Sequence, residues 1–170
     1  RLGLRLTPDL ARSMTRIWMR EELCKNVDLT EEQQRQIAES AARRMMSIAH
    51  RNGRQGQSTM EYLIESMMTS QGKVTPENCR EFGEKVQPLA RSMREFLDGM
   101  ADDIRPVVDD EQWKQMEPEL ERQRRALDRF ERRLEGYREG RVRESENPFD
   151  ELDVDEEAPG RPKLDPRIRS

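Results

Sequence analysis

Apolar residues recur every three or four positions through most of the chain, and the longest such row lies between Val108 and Tyr137. Trp113, Met116, Leu120, Leu127, Phe130, Leu134 and Tyr137 fall on one stripe, as in a coiled-coil seam. Only the turn around Gln123 lacks an apolar residue, and the other faces are crowded with Arg and Glu. A helix this charged cannot bury its stripe alone, so the rest of the folded chain is expected to cover it. A second row, Phe82, Val86, Leu89, Met93, Phe96, Met100 and Ile104, predicts a helix over about Pro76 to Arg105. Pro88 in this helix and Pro118 in the last are expected to bend their helices or remove a hydrogen bond. Arg105-Pro106-Val107 is a short connection, so the two long helices should fold back as an antiparallel hairpin.

Shorter rows precede them. Leu10, Met14, Ile17, Trp18 and Leu23 predict a helix over about Pro8 to Cys24. Ile37, Ala38, Ala41, Met45 and Ile48 predict another over about Glu31 to His50, whose small residues imply close approach of a neighbour. Gly53 and Gly56 break that pattern. Met60, Leu63, Ile64, Met67 and Met68 then give a short helix from Thr59 to Ser70, stopped at Gln71-Gly72-Lys73.

Four helix starts share one plan: Leu6-Thr7-Pro8-Asp9, Leu29-Thr30-Glu31-Glu32-Gln33, Val74-Thr75-Pro76-Glu77 and Val108-Asp109-Asp110-Glu111-Gln112. In each, a Thr or Asp side chain can accept from unpaired backbone N–H groups, and Pro or carboxylates suit the first turn. Gln33 and Gln112 stand three residues after Thr30 and Asp109 and complete capping boxes. Val108 and Trp113 have the spacing of a hydrophobic staple.

Past Gly140 the character changes. From Glu144 to Glu157 there are eight acidic residues and no basic one, followed by Pro159, Gly160, Pro162 and Pro166. Such a segment cannot bury enough surface to offset ordering entropy. The reading is therefore a helical domain over 1–140 and a disordered acidic tail over 141–170. The fold class is all-α: an elongated hairpin or bundle of four or five helices, dimeric through its seam.

Composition narrows the function. Apolar residues are 33% of the 170 and charged residues 39%, which allows a thin helical core rather than a thick one. Net charge is −4 with both signs mixed, so no basic face invites nucleic acid. No apolar run approaches the roughly 20 residues of a membrane span. The chain starts at Arg1 rather than Met, so a leader or membrane anchor upstream of residue 1 stays open. With one histidine and no phosphate loop or HExxH, neither catalysis nor a cofactor is expected.

Cys24 and Cys79 fit either a disulfide in an oxidising compartment or two unrelated buried thiols in the cytosol. A bond between them would close a long loop, contributing roughly 4 kcal/mol in the chain-entropy model. The ten methionines admit three readings: gap-filling in a thin core, adaptable binding of apolar segments, or soft-metal ligation, the last with Cys24 and Cys79 as partners. Asn147-Pro148-Phe149 has the look of a short docking motif. On the last helix, Glu121–Arg125 and Asp128–Arg132 are spaced as i,i+4 ion pairs.

The LTEEQ of Leu29–Gln33 and the VDDEQ of Val108–Gln112, each opening a helix, together resemble the paired LTxxQ motifs of the Spy/CpxP family. That family includes a zinc-resistance-associated branch. The resemblance spans roughly residues 10 to 137, with Val108 and Asp109 standing where the family prefers Leu and Thr. It implies a hooked four-helix hairpin that dimerises into a shallow cradle in the periplasm and does no chemistry. Family members bind unfolded proteins without ATP or sense envelope and metal stress. Leu29, Thr30, Gln33, Val108, Asp109 and Gln112 would be the structural motif residues. The zinc branch relies on histidine-rich segments, which this chain lacks, so no metal site is carried over.

The expected function is thus a non-catalytic envelope-stress protein that binds unfolded or envelope proteins, or senses stress, through an apolar helical face. Met60, Leu63, Met67, Met68, Phe82, Met93, Phe96 and Met100 are the candidate client or dimer face. The alternative is a helical scaffold or assembly subunit, cytoplasmic, docking a protein partner.

Overall fold

A computed structural model describes residues 5–150, and within them the chain is an all-α bundle. Four helices follow in order: α1 Pro8–Trp18, α2 Glu31–Ser70, α3 Cys79–Ile104 and α4 Asp110–Arg138. A π-helical turn, Met19–Leu23, extends α1 and ends with the Cys24 N–H on the Met19 carbonyl. Helices α3 and α4 form the expected hairpin, α2 lies along α3, and α1 packs on α2.

Three of the four starts are built as their chemistry predicts. The Thr7 hydroxyl accepts from the Leu10 N–H, and both capping boxes close. Val108 is buried with Trp113 packed against the same cluster, as a staple requires, and the Arg105 guanidinium lies 5.6 Å above the indole ring. The fourth start is corrected. α3 begins at Cys79 rather than Pro76, because Asn78 Oδ1 takes the Thr75 N–H at 2.8 Å and locks Pro76–Asn78 into a turn. The Cys79 N–H then bonds the Thr75 carbonyl at 2.9 Å.

The two helices expected at 31–50 and 59–70 are present as two segments meeting at a kink, taken together as α2. The interruption narrows to Gly53, whose φ of 28° kinks α2, while Gly56 stays helical. Helices α3 and α4 continue through Pro88 and Pro118 as single elements.

Two clusters make the core. The first joins Met19, Leu23, Ile37, Ala41, Met100, Ile104, Met116 and Leu120 at the closed end of the hairpin. The second joins Phe82, Val86, Leu97, Leu127, Phe130, Leu134 and Tyr137 toward its open end. Trp18 and Phe96 touch both clusters and meet edge-to-face at 5.5 Å. Ala11, Ala38, Ala41 and Ala42 are all buried, so α1 and α2 approach closely, as the small residues of α2 imply.

Residues 141–150 correct the expectation that order ends at residue 141. Val74 and Glu146 exchange backbone hydrogen bonds of 2.7 and 2.9 Å, and the buried Tyr137 hydroxyl donates to Glu146. Phe149 stacks on Phe130 at 5.4 Å, and Arg133 donates to the carbonyls of Pro148 and Asp150. Composition argued against order here, but a few aromatic and backbone contacts suffice to strap ten residues down. The remainder of the acidic tail, 151–170, lies outside the described residues.

The i,i+4 pairs expected along α4 are replaced. Arg94 on α3 engages both Asp128 and Glu131, and Arg124 links Asp98 of α3 to Glu121. Asp128 and Glu131 therefore tie α4 to α3 through Arg94, and Asp98 ties α3 to α4 through Arg124, while Glu121 stays within α4 as an i,i+3 partner of Arg124.

Candidate binding face and paired helix caps

The two LTxxQ-like motifs meet. Gln33 Oε1 accepts from its own N-cap N–H at Thr30 (3.0 Å), and Gln112 Oε1 does the same at Asp109 (3.0 Å). The amide nitrogens then cross over. Gln33 Nε2 donates to Gln112 Oε1 at 2.8 Å and to the Val107 carbonyl at 3.1 Å. Gln112 Nε2 donates to Gln33 Oε1 at 3.0 Å and to the Asp28 carbonyl at 2.9 Å. Each carbonyl lies two residues before the opposite N-cap, so the arrangement is pseudo-twofold. Every amide hydrogen and both oxygens find partners, leaving no donor over in this half-buried spot. Leu29 and Val108, the aliphatic residues that open the two motifs, are buried in the same cluster. The pair therefore locks the starts of α2 and α4 to each other.

A different set of residues offers a surface for binding. On α3 the inward row runs Cys79, Phe82, Val86, Ala90, Met93, Leu97, Met100, Ile104, at steps of three and four. Seven of these are buried, whereas Met93 is 44% exposed. A residue in line with the core yet open to solvent marks a place where the bundle lacks its covering layer. Met60, Met67 and Met68 on the second half of α2 are also exposed, Met68 most of all at 82%. Leu63 and Phe96 are half-buried against the second cluster. Phe82 and Met100, counted in the expected face, are corrected to core residues at 1% and 0% exposure.

Helix α1 adds a row drawn from the apolar residues that predict it. Leu10, Met14 and Ile17, at steps of four and three, are exposed, while Ala11, Thr15 and Met19 face inward. Periodicity alone fits either row, and the small one wins because it lets α1 sit close on the alanines of α2. Trp18, one turn past Met14, meets Phe96, three residues past Met93, where the end of α1 reaches α3. Gln123, the polar gap in the α4 row, is also explained: its Oε1 accepts from the Trp18 indole N–H at 3.0 Å.

The cysteines do not pair. Cys24 packs against the first cluster beside the ends of α3 and α4, and Cys79 is the first residue of α3 inside the second. Most of a 26-residue helix, about 39 Å at the helical rise, separates those ends, against the under about 7 Å between Cα atoms that a disulfide needs. The same separation removes the joint Cys24–Cys79 soft-metal reading. Burial pushes the Cys24 thiol up to about 11, which keeps it protonated and unreactive at neutral pH. Among the described residues no helix is long and apolar enough to cross a membrane. No family model, curated protein or solved structure matches this chain.

Proposed function

We propose that the chain is a non-catalytic, chaperone-like protein of the cell envelope that holds unfolded or partly folded clients on its exposed apolar rows. The observation that carries this is the set of large apolar side chains left uncovered on α1 and on the second half of α2, together with Met93, the exposed member of an otherwise buried row on α3. Scattered single apolar residues are ordinary on a protein surface, but rows in register are the marks of an interaction face. Methionine dominates them, and its unbranched, polarisable side chain adapts to varied apolar segments. The resemblance to the Spy/CpxP motifs supports the same reading, since the two motifs act as one structural lock. Envelope location and a homodimer belong to this proposal.

Light scattering of an aggregating client, with this protein at near-stoichiometric ratio, tests it. Burying one methionine side chain contributes about 1.5–3 kcal/mol, so each lost contact weakens binding about tenfold or more. The wild type should suppress aggregation, and the combined variant Met60→Gln, Met67→Gln, Met68→Gln, Met93→Gln should not. One tight partner recovered without any such suppression would favour the scaffold reading instead.

A further inference from the structure

We propose that the five exposed methionines, Met14, Met60, Met67, Met68 and Met93, form an oxidation-sensitive modification site that switches the binding face off. The inference rests on the binding reading above and adds its regulation. Among the described residues, methionine supplies five of the eight exposed large apolar side chains but only three of the 24 buried apolar residues. The partition places oxidisable sulfur on the face and keeps most of the core in residues that two-electron oxidants leave alone. The three core methionines, Met19, Met100 and Met116, are at most 5% exposed. The thiols do not compete, because Cys79 is buried and Cys24 is held protonated. A thioether needs no deprotonation, so its reaction proceeds across the physiological pH range.

The oxidant is a peroxide or a hypohalous acid. With hydrogen peroxide, a sulfur lone pair attacks one oxygen, the O–O bond breaks and an S–O bond forms. The departing hydroxide takes the proton left on the transferred oxygen and leaves as water. Sulfur is oxidised by two electrons and the peroxide is reduced by two. The product is a polar, chiral sulfoxide in place of an apolar side chain, which a dithiol-dependent sulfoxide reductase converts back. Oxidation at these positions leaves both core clusters untouched, so the fold persists while the apolar rows become polar.

The full chain is treated with graded hydrogen peroxide, then peptide-mapped by mass spectrometry. Binding of fluorescently labelled, reduced and carboxymethylated lactalbumin is read in parallel by anisotropy. Met68 should oxidise first, the other four exposed methionines next, and Met19, Met100 and Met116 last. Affinity should fall at least tenfold at unchanged helical circular dichroism and return after treatment with sulfoxide reductases. A variant carrying Leu at all five positions should bind the client and keep its affinity under peroxide. Equal oxidation of core and face, or unchanged affinity after the face is oxidised, overturns the switch alone. The switch also falls if the five-Leu variant loses affinity under peroxide as the wild type does. Failure of the untreated protein to bind the client overturns the binding reading, and the switch with it.

Discussion

Replacing Gln33 or Gln112 tests whether the two helix caps are independent or a single lock. Each side chain takes part in four hydrogen bonds: one to its own N-cap, two with the other glutamine, and one to a backbone carbonyl across the interface. At about 0.5–1.5 kcal/mol net per bond, Gln33→Ala should cost about 2–6 kcal/mol, and Gln112→Ala the same. Thr30→Ala loses only the local cap and should cost about 1 kcal/mol. The decisive quantity is the coupling. The two bonds shared between the glutamines are lost once in the double variant but counted twice in the sum, so the cycle should show about 1–3 kcal/mol of non-additivity. Urea denaturation followed by circular dichroism at 222 nm measures all four corners. If the two changes add within about 0.5 kcal/mol, the caps are independent and the lock does not exist.

Other outcomes follow from named contacts. Gly83→Ala should destabilise by about 1–3 kcal/mol despite a better helix propensity, because the new Cβ would stand 2.7 Å from the Leu134 carbonyl and 2.9 Å from the Arg138 nitrogen. Gly56→Ala, whose Cβ would meet only the Asn52 Cβ at 3.8 Å, should stabilise by up to about 1 kcal/mol; thermal melts of the two variants give opposite shifts if the packing is right. The Arg44 guanidinium, with help from the Ser40 hydroxyl, holds the Asp103 carboxyl below its usual range. Its stabilisation is therefore complete above the unfolded pKa of about 4 and lost as pH falls through the lower folded value. The stability gap between wild type and Asp103→Asn should be constant from pH 7 to about 4 and close below it, and a gap that closes at higher pH would contradict this. Phe149→Ala should lower stability by about 1 kcal/mol through the Phe130 stack; no change in melting temperature would mean that residues 141–150 do not hold to the bundle.

The sequence was most informative where chemistry is local. Thr30 with Gln33, and Asp109 with Gln112, are legible as capping boxes because cap and partner lie three residues apart, and both close as expected. What three-residue spacing cannot reveal is that Gln33 and Gln112, 79 positions apart, complete each other. That depends on the hairpin bringing α4 back beside α2. The late start of α3 was hidden for the opposite reason: Asn78 offers a competing local bond to the Thr75 N–H, and a Thr-Pro-Glu string cannot show which wins. In α1, Leu10, Met14 and Ile17 have the spacing of a core row but lose it to Ala11 and Thr15. Helix burial there follows the closeness of approach rather than side-chain hydrophobicity. Gln123 carried a readable signal, a polar residue in an apolar row, though its partner Trp18 lies 105 positions away. Of the expected face, the sequence marked Met60, Met67, Met68 and Met93, but could not separate them from Phe82 and Met100, which share the same period and differ only in what covers them.

Site-specific photo-crosslinking to an unfolded client tests the central claim most directly. A photoreactive residue is placed in turn at Met14, Met60, Met68 and Met93, and at Glu111 on the exposed first turn of α4 as a control, with reduced and carboxymethylated lactalbumin as client. Crosslinks are expected from all four methionine positions and none above background from Glu111. Absence of crosslinks at the methionine positions, or equal yields at Glu111, would contradict the claim that these rows are a client-binding face.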